Sequence, residues 1–238
     1  MITGDVEVHV ARVVDTPGLR GLLDDDELLR LEGLHRPADR ARLVASHALL
    51  RLALAVRCGV DPHDVVLERR CPTCGSTEHG RLVAPDLDQH LSLGHAGGLA
   101  VVALSPTAPV GVDVEVESAC AFEGFDEVSL HPEEIAELAE LDDRDAAWAR
   151  ATWWVRKEAV LKATGHGMTL DPPTVRLTAP TEAPALLAWP EPPAPVVHVE
   201  DLRAPQGYVA AVALHDLDDR VAAIEVVQRD GDELLDLP

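Results

Sequence analysis

Two lysines stand out in a chain that otherwise writes every cation as arginine. Of 20 basic residues, 18 are Arg, and both lysines fall in Trp153-Trp154-Val155-Arg156-Lys157-Glu158-Ala159-Val160-Leu161-Lys162-Ala163-Thr164-Gly165. An ammonium is a compact point charge whose proton can be lost, whereas a guanidinium keeps its own. Good helix formers fill this stretch and Gly165 and Gly167 stop it, so the spacing predicts a helix. Ala151, Val155, Glu158 and Lys162 then share one face, with carboxylate and ammonium one turn apart. A surface salt bridge in an Arg-rich chain is the competing account of that pair. A second group of chemical interest is Gly111-Val112-Asp113-Val114-Glu115-Val116-Glu117. Strict alternation predicts a strand with Asp113, Glu115 and Glu117 on one face and valines on the other. Acidic residues are depleted in strands, so three in alternation are costly as mere solubility. Clustered carboxylate oxygens are what a hard cation such as Mg²⁺ prefers.

The elements around these motifs follow from pattern. Val6–Val14 alternates and reads as an opening strand, and Asp24-Asp25-Asp26-Glu27 starts a helix with acidic residues at its positive end. Ala38-Asp39 after Pro37 opens a long helix to about Arg57. A strand is expected at Asp64–Glu68, and others at Leu91–Leu93 and Leu99–Leu104 around the turn Gly94–Gly98. Phe122–Pro132 reads as a mobile loop and Pro132–Leu141 as a helix. Gly207–Leu214 and Arg220–Gln228 are expected to form a hairpin, before a frayed acidic tail. An offset of 110 residues lays Gly97–Leu104 over Gly207–Leu214 and Gly111–Glu117 over Val221–Val227, and the helix around Ala48 over that around Glu158. Three matches at one offset predict an α+β fold of two similar, pseudo-symmetric halves. Each would carry a small, mostly antiparallel sheet and a long helix, with the site in the groove between them. The expected division is 1–109, 110–229 and an acidic tail, 230–238.

Composition narrows the partners. A length of 238 residues and 47% apolar content allow an ample core, built from Ala, Val and Leu because only 3% is aromatic. A net charge of −22 argues against nucleic acid and an anionic membrane surface as partners. Any anionic ligand must then meet a local basic pocket. Absence of an export signal or transmembrane run, with four cysteines, leads us to expect a reducing cytoplasm. Cys71 and Cys74 are spaced as one edge of a zinc site, which Cys58, His63 or His79 would have to complete; otherwise the segment is a plain reduced loop.

Gly111-Val-Asp113-Val-Glu115 followed by Trp154-Val-Arg-Lys157-Glu158-Ala-Val-Leu-Lys162-Ala-Thr-Gly165 closely resembles the two signature motifs of the surfactin-type 4′-phosphopantetheinyl transferases. Further likenesses are Ala38-Asp-Arg-Ala-Arg42 to the family's basic helix start, Gly80-Arg81 to its Gly-Lys-Pro, and Leu93-Gly94-His95-Ala96 to its Ser-His-Ser. The resemblance implies transfer of 4′-phosphopantetheine from coenzyme A to a serine of an apo acyl or peptidyl carrier protein, releasing 3′,5′-ADP. It implies that Asp113, Glu115 and Glu158 hold Mg²⁺, and that Arg42, Arg81, Gly94, His95, Lys157 and Lys162 contact the coenzyme A. Glu158 would also act as base and Lys162 assist the leaving phosphate. Gly94, Ala96 and Leu82 depart from the family pattern, so backbone amides that glycine leaves open would take over part of the phosphate grip. Phe122, Phe125 and Leu130 are candidate carrier contacts, and a monomer suffices because both halves lie in one chain. Two other readings use the same residues: a Mg²⁺-dependent nucleotide or phosphodiester hydrolase, and a non-catalytic coenzyme A binding module.

Overall fold

The computed structural model describes residues 1–71, 74–77 and 80–236, apart from the Met168 side chain. The first half runs β1 (Ile2–Arg12), α1 (Pro17–Arg20), α2 (Asp25–Gly33), α3 (Pro37–Cys58), β2 (Glu68–Arg70), β3 (Arg81–Val83), β4 (His90–Ala96) and β5 (Leu99–Ser105). The second runs β6 (Val110–Val116), α4 (Phe125–Ser129), α5 (Pro132–Leu138), α6 (Asp143–Thr164), β7 (Arg176–Leu177), β8 (Leu186–Ala188), β9 (Val197–Leu202) and β10 (Tyr208–His215). β11 (Val221–Asp230) and α7 (Asp232–Leu235) close the chain.

Each half repeats one unit, a strand, a 22-residue helix and two more strands. β1, α3, β4 and β5 form the sheet order β1-β5-β4, and β6, α6, β9 and β10 form β6-β10-β9. This is the α+β fold of two similar halves that the internal echo suggests. The sheets pack face to face, with Val6, Val8, Val101 and Ala103 meeting Val112, Val114, Val212 and Leu214. The outer face of β5, through Ala100, Val102 and Leu104, is covered by α3, and Ala211 and Ala213 of β10 lie under α6. The layers are therefore helix, sheet, sheet, helix. β5 is buried on both faces, which is why it reads as a continuous apolar run rather than an alternation.

Several local expectations need correction. β10 and β11 do not form a hairpin; β11 runs parallel to β1, from Thr3↔Ala223 to Val10↔Asp230, at the edge of the first half's sheet. Residues 231–236 are anchored: Asp232 accepts hydrogen bonds from the Arg12 backbone at 2.6 Å and its Nε at 2.8 Å, and Leu235 is buried against α3's cluster. Residues 64–68 do not form a strand, because Pro62 opens a 3-10 turn at Pro62–Asp64 and pairing begins only at Glu68. Phe122–Pro132 is not a free loop; it contains α4, with Phe125 and Leu130 buried.

Candidate active site

α6 is fixed at both ends before any ligand is considered. The Asp142 carboxylate caps it by accepting from the backbone of Arg144 at 3.1 Å and Asp145 at 3.0 Å, and Gly165 ends it at φ 80°. Between the caps the helix is buried on almost every side. The Arg156 side chain is wholly buried, bonded to Asp201 and to four backbone carbonyls between Thr178 and Glu182, which locks the helix's rotation. That rotation decides which residues face the groove, and Glu158 and Lys162 do.

Lys162 reaches across to the strands. Its Nζ donates to Asp113 Oδ1 at 2.7 Å, to the Val112 carbonyl at 3.0 Å and to the Leu93 carbonyl at 3.4 Å. The ammonium thus ties β4, β6 and α6 together, and no bond forms between Lys162 and Glu158, the pair the spacing offers. Glu158 Oε1 is buried with no hydrogen-bond partner. Burial raises its pKa; the Lys162 charge opposes this and the Asp113 charge adds to it.

β6 delivers its carboxylates beneath α6. Gly111 makes the approach possible, since a Cβ there would stand 2.0 Å from the Ala159 carbonyl oxygen and 2.5 Å from the Ala163 nitrogen. Side chains of the same parity, Asp113 and Glu115, share that face, and the strand is buried on both faces from Val110 to Val114. Asp113 Oδ2 is buried and unpartnered. Burial, then the neighbouring Asp113 charge, pushes Glu115 up to about 7. Glu115 is turned toward the Val116 backbone N–H at 3.3 Å, with Trp154 as a further hydrogen-bond partner. The three carboxylates Asp113, Glu115 and Glu158 are near one another but do not close on a point: among the described residues no three His, Cys, Asp or Glu form a ready metal cage.

A cavity of about 410 Å³ opens between the halves, lined by Arg81, Glu158 and Lys162 together with Leu82, Leu93 and Leu161. Arg42 and His95 are outside its lining. Arg42 is half-buried, donates to the Gly97 carbonyl at 3.2 Å and pairs with Asp39. His95 is exposed; partial desolvation, then the Arg42 and Lys162 charges, lower its pKa. Gly94 sits where a Cβ would be 3.1 Å from Asp113 Oδ1, so its lack of a side chain lets β4 and β6 close on each other.

Three residues expected at the site or its rim are elsewhere. Lys157 does not face the groove: it is fully buried, with Nζ 2.6 Å from Glu134 Oε2 and donating to the carbonyls of Ser129 at 2.9 Å and Pro172 at 3.1 Å. Its turn of the helix points it into the second half's core, so it braces the fold. Phe125 and Leu130 are likewise packed inward, with Phe125 edge-on to Trp154 at 5.9 Å; of the three suggested carrier contacts only Phe122 is exposed. His79, a candidate zinc ligand, lies outside the described residues.

The chemistry-bearing residues that motif reading misses are Arg69 and His166, both in the cavity wall. His166 carried a signal, standing one further turn beyond Lys162; Arg69 carried none.

Comparisons with known proteins place the chain in a family. The family model described as the 4′-phosphopantetheinyl transferase superfamily matches residues 109–213, which contain β6, α6 and most of β10. The chain is 32% identical over 221 residues to the 4′-phosphopantetheinyl transferase HetI of Nostoc sp., covering 87% of each. A Synechocystis sp. protein provisionally named a 4′-phosphopantetheinyl transferase is 26% identical over 155 residues, 64% of this chain and 61% of the other. Among solved structures, the holo-[acyl-carrier-protein] synthase of Thermotoga maritima matches 46% of this chain and 63% of its own at 21% identity, with a TM-score of 0.36. On the length and identity of the match to HetI, joined to the family model over residues 109–213, this chain belongs to the 4′-phosphopantetheinyl transferase superfamily.

Proposed function

We propose that this protein is a transferase of the surfactin type, moving 4′-phosphopantetheine from coenzyme A to a serine of an apo acyl or peptidyl carrier protein, with 3′,5′-ADP released. The observation that carries the reading is the placement of Glu158, Lys162 and Arg81 in one cavity between the halves. The apolar wall suits the pantetheine arm and the basic residues suit the nucleotide phosphates. Reaction requires the serine Oγ to bond to the pantetheine-side phosphorus while the bond from that phosphorus to the bridging oxygen breaks.

The donor set fits a hard divalent cation. Two buried carboxylate oxygens, Asp113 Oδ2 and Glu158 Oε1, have no partner, and burial together with the Asp113 charge holds Glu115 up to about 7. Asp113, Glu115 and Glu158 would hold Mg²⁺, which supplies neutralisation of the charge developing on the phosphoryl oxygens. The chain's own groups do the rest. Glu158, with a raised proton affinity, accepts the serine proton directly or through water. Lys162, oriented by two carbonyls and Asp113, stabilises the oxygen left on 3′,5′-ADP. Arg42, Arg81 and His95 orient the nucleotide.

The test is incubation with coenzyme A, Mg²⁺ and a panel of apo carrier proteins, reading the mass of each carrier. Addition of phosphopantetheine at the carrier serine is the expected result. Release of 3′,5′-ADP without any carrier modification would replace the reading with hydrolysis.

A further inference from the structure

The turn that ends α6 holds a group the reaction scheme above does not use. His166 stands four residues beyond Lys162 and eight beyond Glu158, and all three line the same cavity. Gly165 at φ 80° and Gly167 at φ 51° bracket it, so the chain curls and keeps its side chain on the helix's cavity face. The ring is supported from behind, edge-on to Trp189 with centroids 5.2 Å apart. Its Nδ1 is buried and makes no hydrogen bond. Such an unpaired polar atom is costly unless something outside the chain pairs with it.

The surroundings say what that would be. Arg69 and Arg81 share the cavity wall with His166, and His215 lies within electrostatic reach of both His166 and Arg81. In a chain of net charge −22, so many basic groups round one mouth mark an anion site. The site also lies at the C-terminal end of α6, where the helix's free carbonyls repel an anion. Lys162 is already shared with Asp113 and two carbonyls, so an anion placed there needs a further donor.

Resting on the transferase reading, we propose that His166 is a phosphate-binding residue, its imidazole donating to an anionic oxygen of the nucleotide portion of coenzyme A beside Arg81 and Lys162. The oxygen can belong to the pyrophosphate or to the 3′-phosphate. The alternative is that His166 only covers Trp189, and two substitutions separate the cases. His166→Phe keeps the edge-on contact and removes both nitrogens, while His166→Gln keeps a donor.

Calorimetric titration of 3′,5′-ADP into the full-length proteins should show His166→Phe binding about ten-fold more weakly than wild type, with His166→Gln between them. Melting temperatures should stay level, and His166→Leu gives the same reading should the Phe variant melt early. Transfer assays then locate the contact: a raised KM for coenzyme A alone assigns the 3′-phosphate, and a raised KM for both coenzyme A and 3′-dephospho-coenzyme A assigns the pyrophosphate. Wild-type affinity for 3′,5′-ADP in the Phe or Leu variant overturns the proposal. Because this binding is read without turnover, His166-dependent binding in a chain that modifies no carrier would sink the transferase reading alone.

Discussion

At the scale of single residues, Lys162 illustrates why identity matters more than charge. Its three acceptors sit on two strands and converge on one point, a geometry that a compact ammonium satisfies and a planar guanidinium does not. Lys162→Arg should therefore reduce kcat by about 10²–10⁴-fold, close to the effect of Lys162→Ala, with a smaller change in affinity for coenzyme A. Turnover within a factor of a few of wild type in Lys162→Arg would show that charge alone suffices. Glu115 makes a second prediction, with its sign set by the raised pKa. Between the ordinary 4.5 and about 7 the folded state holds a proton that the unfolded chain releases, so metal-free stability falls as pH rises through this window. Mg²⁺ needs the ionised form, so the melting temperature gained on adding Mg²⁺ should grow from pH 6 to pH 8. Asp113→Asn removes a neighbouring negative charge and should move the midpoint of the metal-free dependence downward, though burial keeps it above the usual carboxylate range. A Mg²⁺ effect that shrinks with rising pH would contradict this assignment of the carboxylates.

At the scale of elements, the contact between β6 and α6 is the closest that a glycine allows among the described residues. Gly111→Ala would drive a methyl group into the α6 backbone, where neither partner can rotate away. Overpacking of this kind should cost about 3 kcal/mol, read as a lowered urea midpoint. An unchanged midpoint would mean that strand and helix are not held this close. The strand from Gly111 to Val116, the long helix to Thr164 and its stop at Gly165 were legible because their signals are local: alternation, helix formers and a stop glycine; Glu117, expected on the strand, instead opens a 3-10 turn. What was not legible depended on distant partners. Lys157 looked as available as Lys162, since only the fold brings Glu134 up to it. Phe125 looked like an exposed loop residue until Trp154 packs on it. β11 looked like the return of a hairpin, because adjacent strands usually pair, and nothing near it in sequence announces a parallel place beside β1. The 110-residue echo detected the two long helices and β5 over β10, yet laid β6 on β11, whereas in the sheets β6 occupies the place of β1.

At the scale of the whole molecule, the shared inner core makes the two halves thermodynamically inseparable. Val6, Val8, Val101 and Ala103 of one sheet share a single buried cluster with Val112, Val114, Val212 and Leu214 of the other. β11 strengthens the tie, because the chain's last strand completes the first half's sheet. All four tryptophans, Trp148, Trp153, Trp154 and Trp189, belong to the second half, so intrinsic fluorescence reports on that half alone. Far-ultraviolet circular dichroism reports on α3 as well as α6, and hence on both. In guanidinium the two signals should superpose in one transition, as two-state unfolding demands. The sharper form uses a substitution in a different packing cluster from every tryptophan. Val101→Ala lies on the first half's inner strand, fully buried, and should cost about 2 kcal/mol. If the sheets are one cooperative unit, the fluorescence midpoint of the second half must fall by as much as the circular dichroism midpoint. Two separated transitions, with the tryptophan signal unmoved by Val101→Ala, would show that the halves fold independently and that the groove between them is a hinge rather than a fixed site.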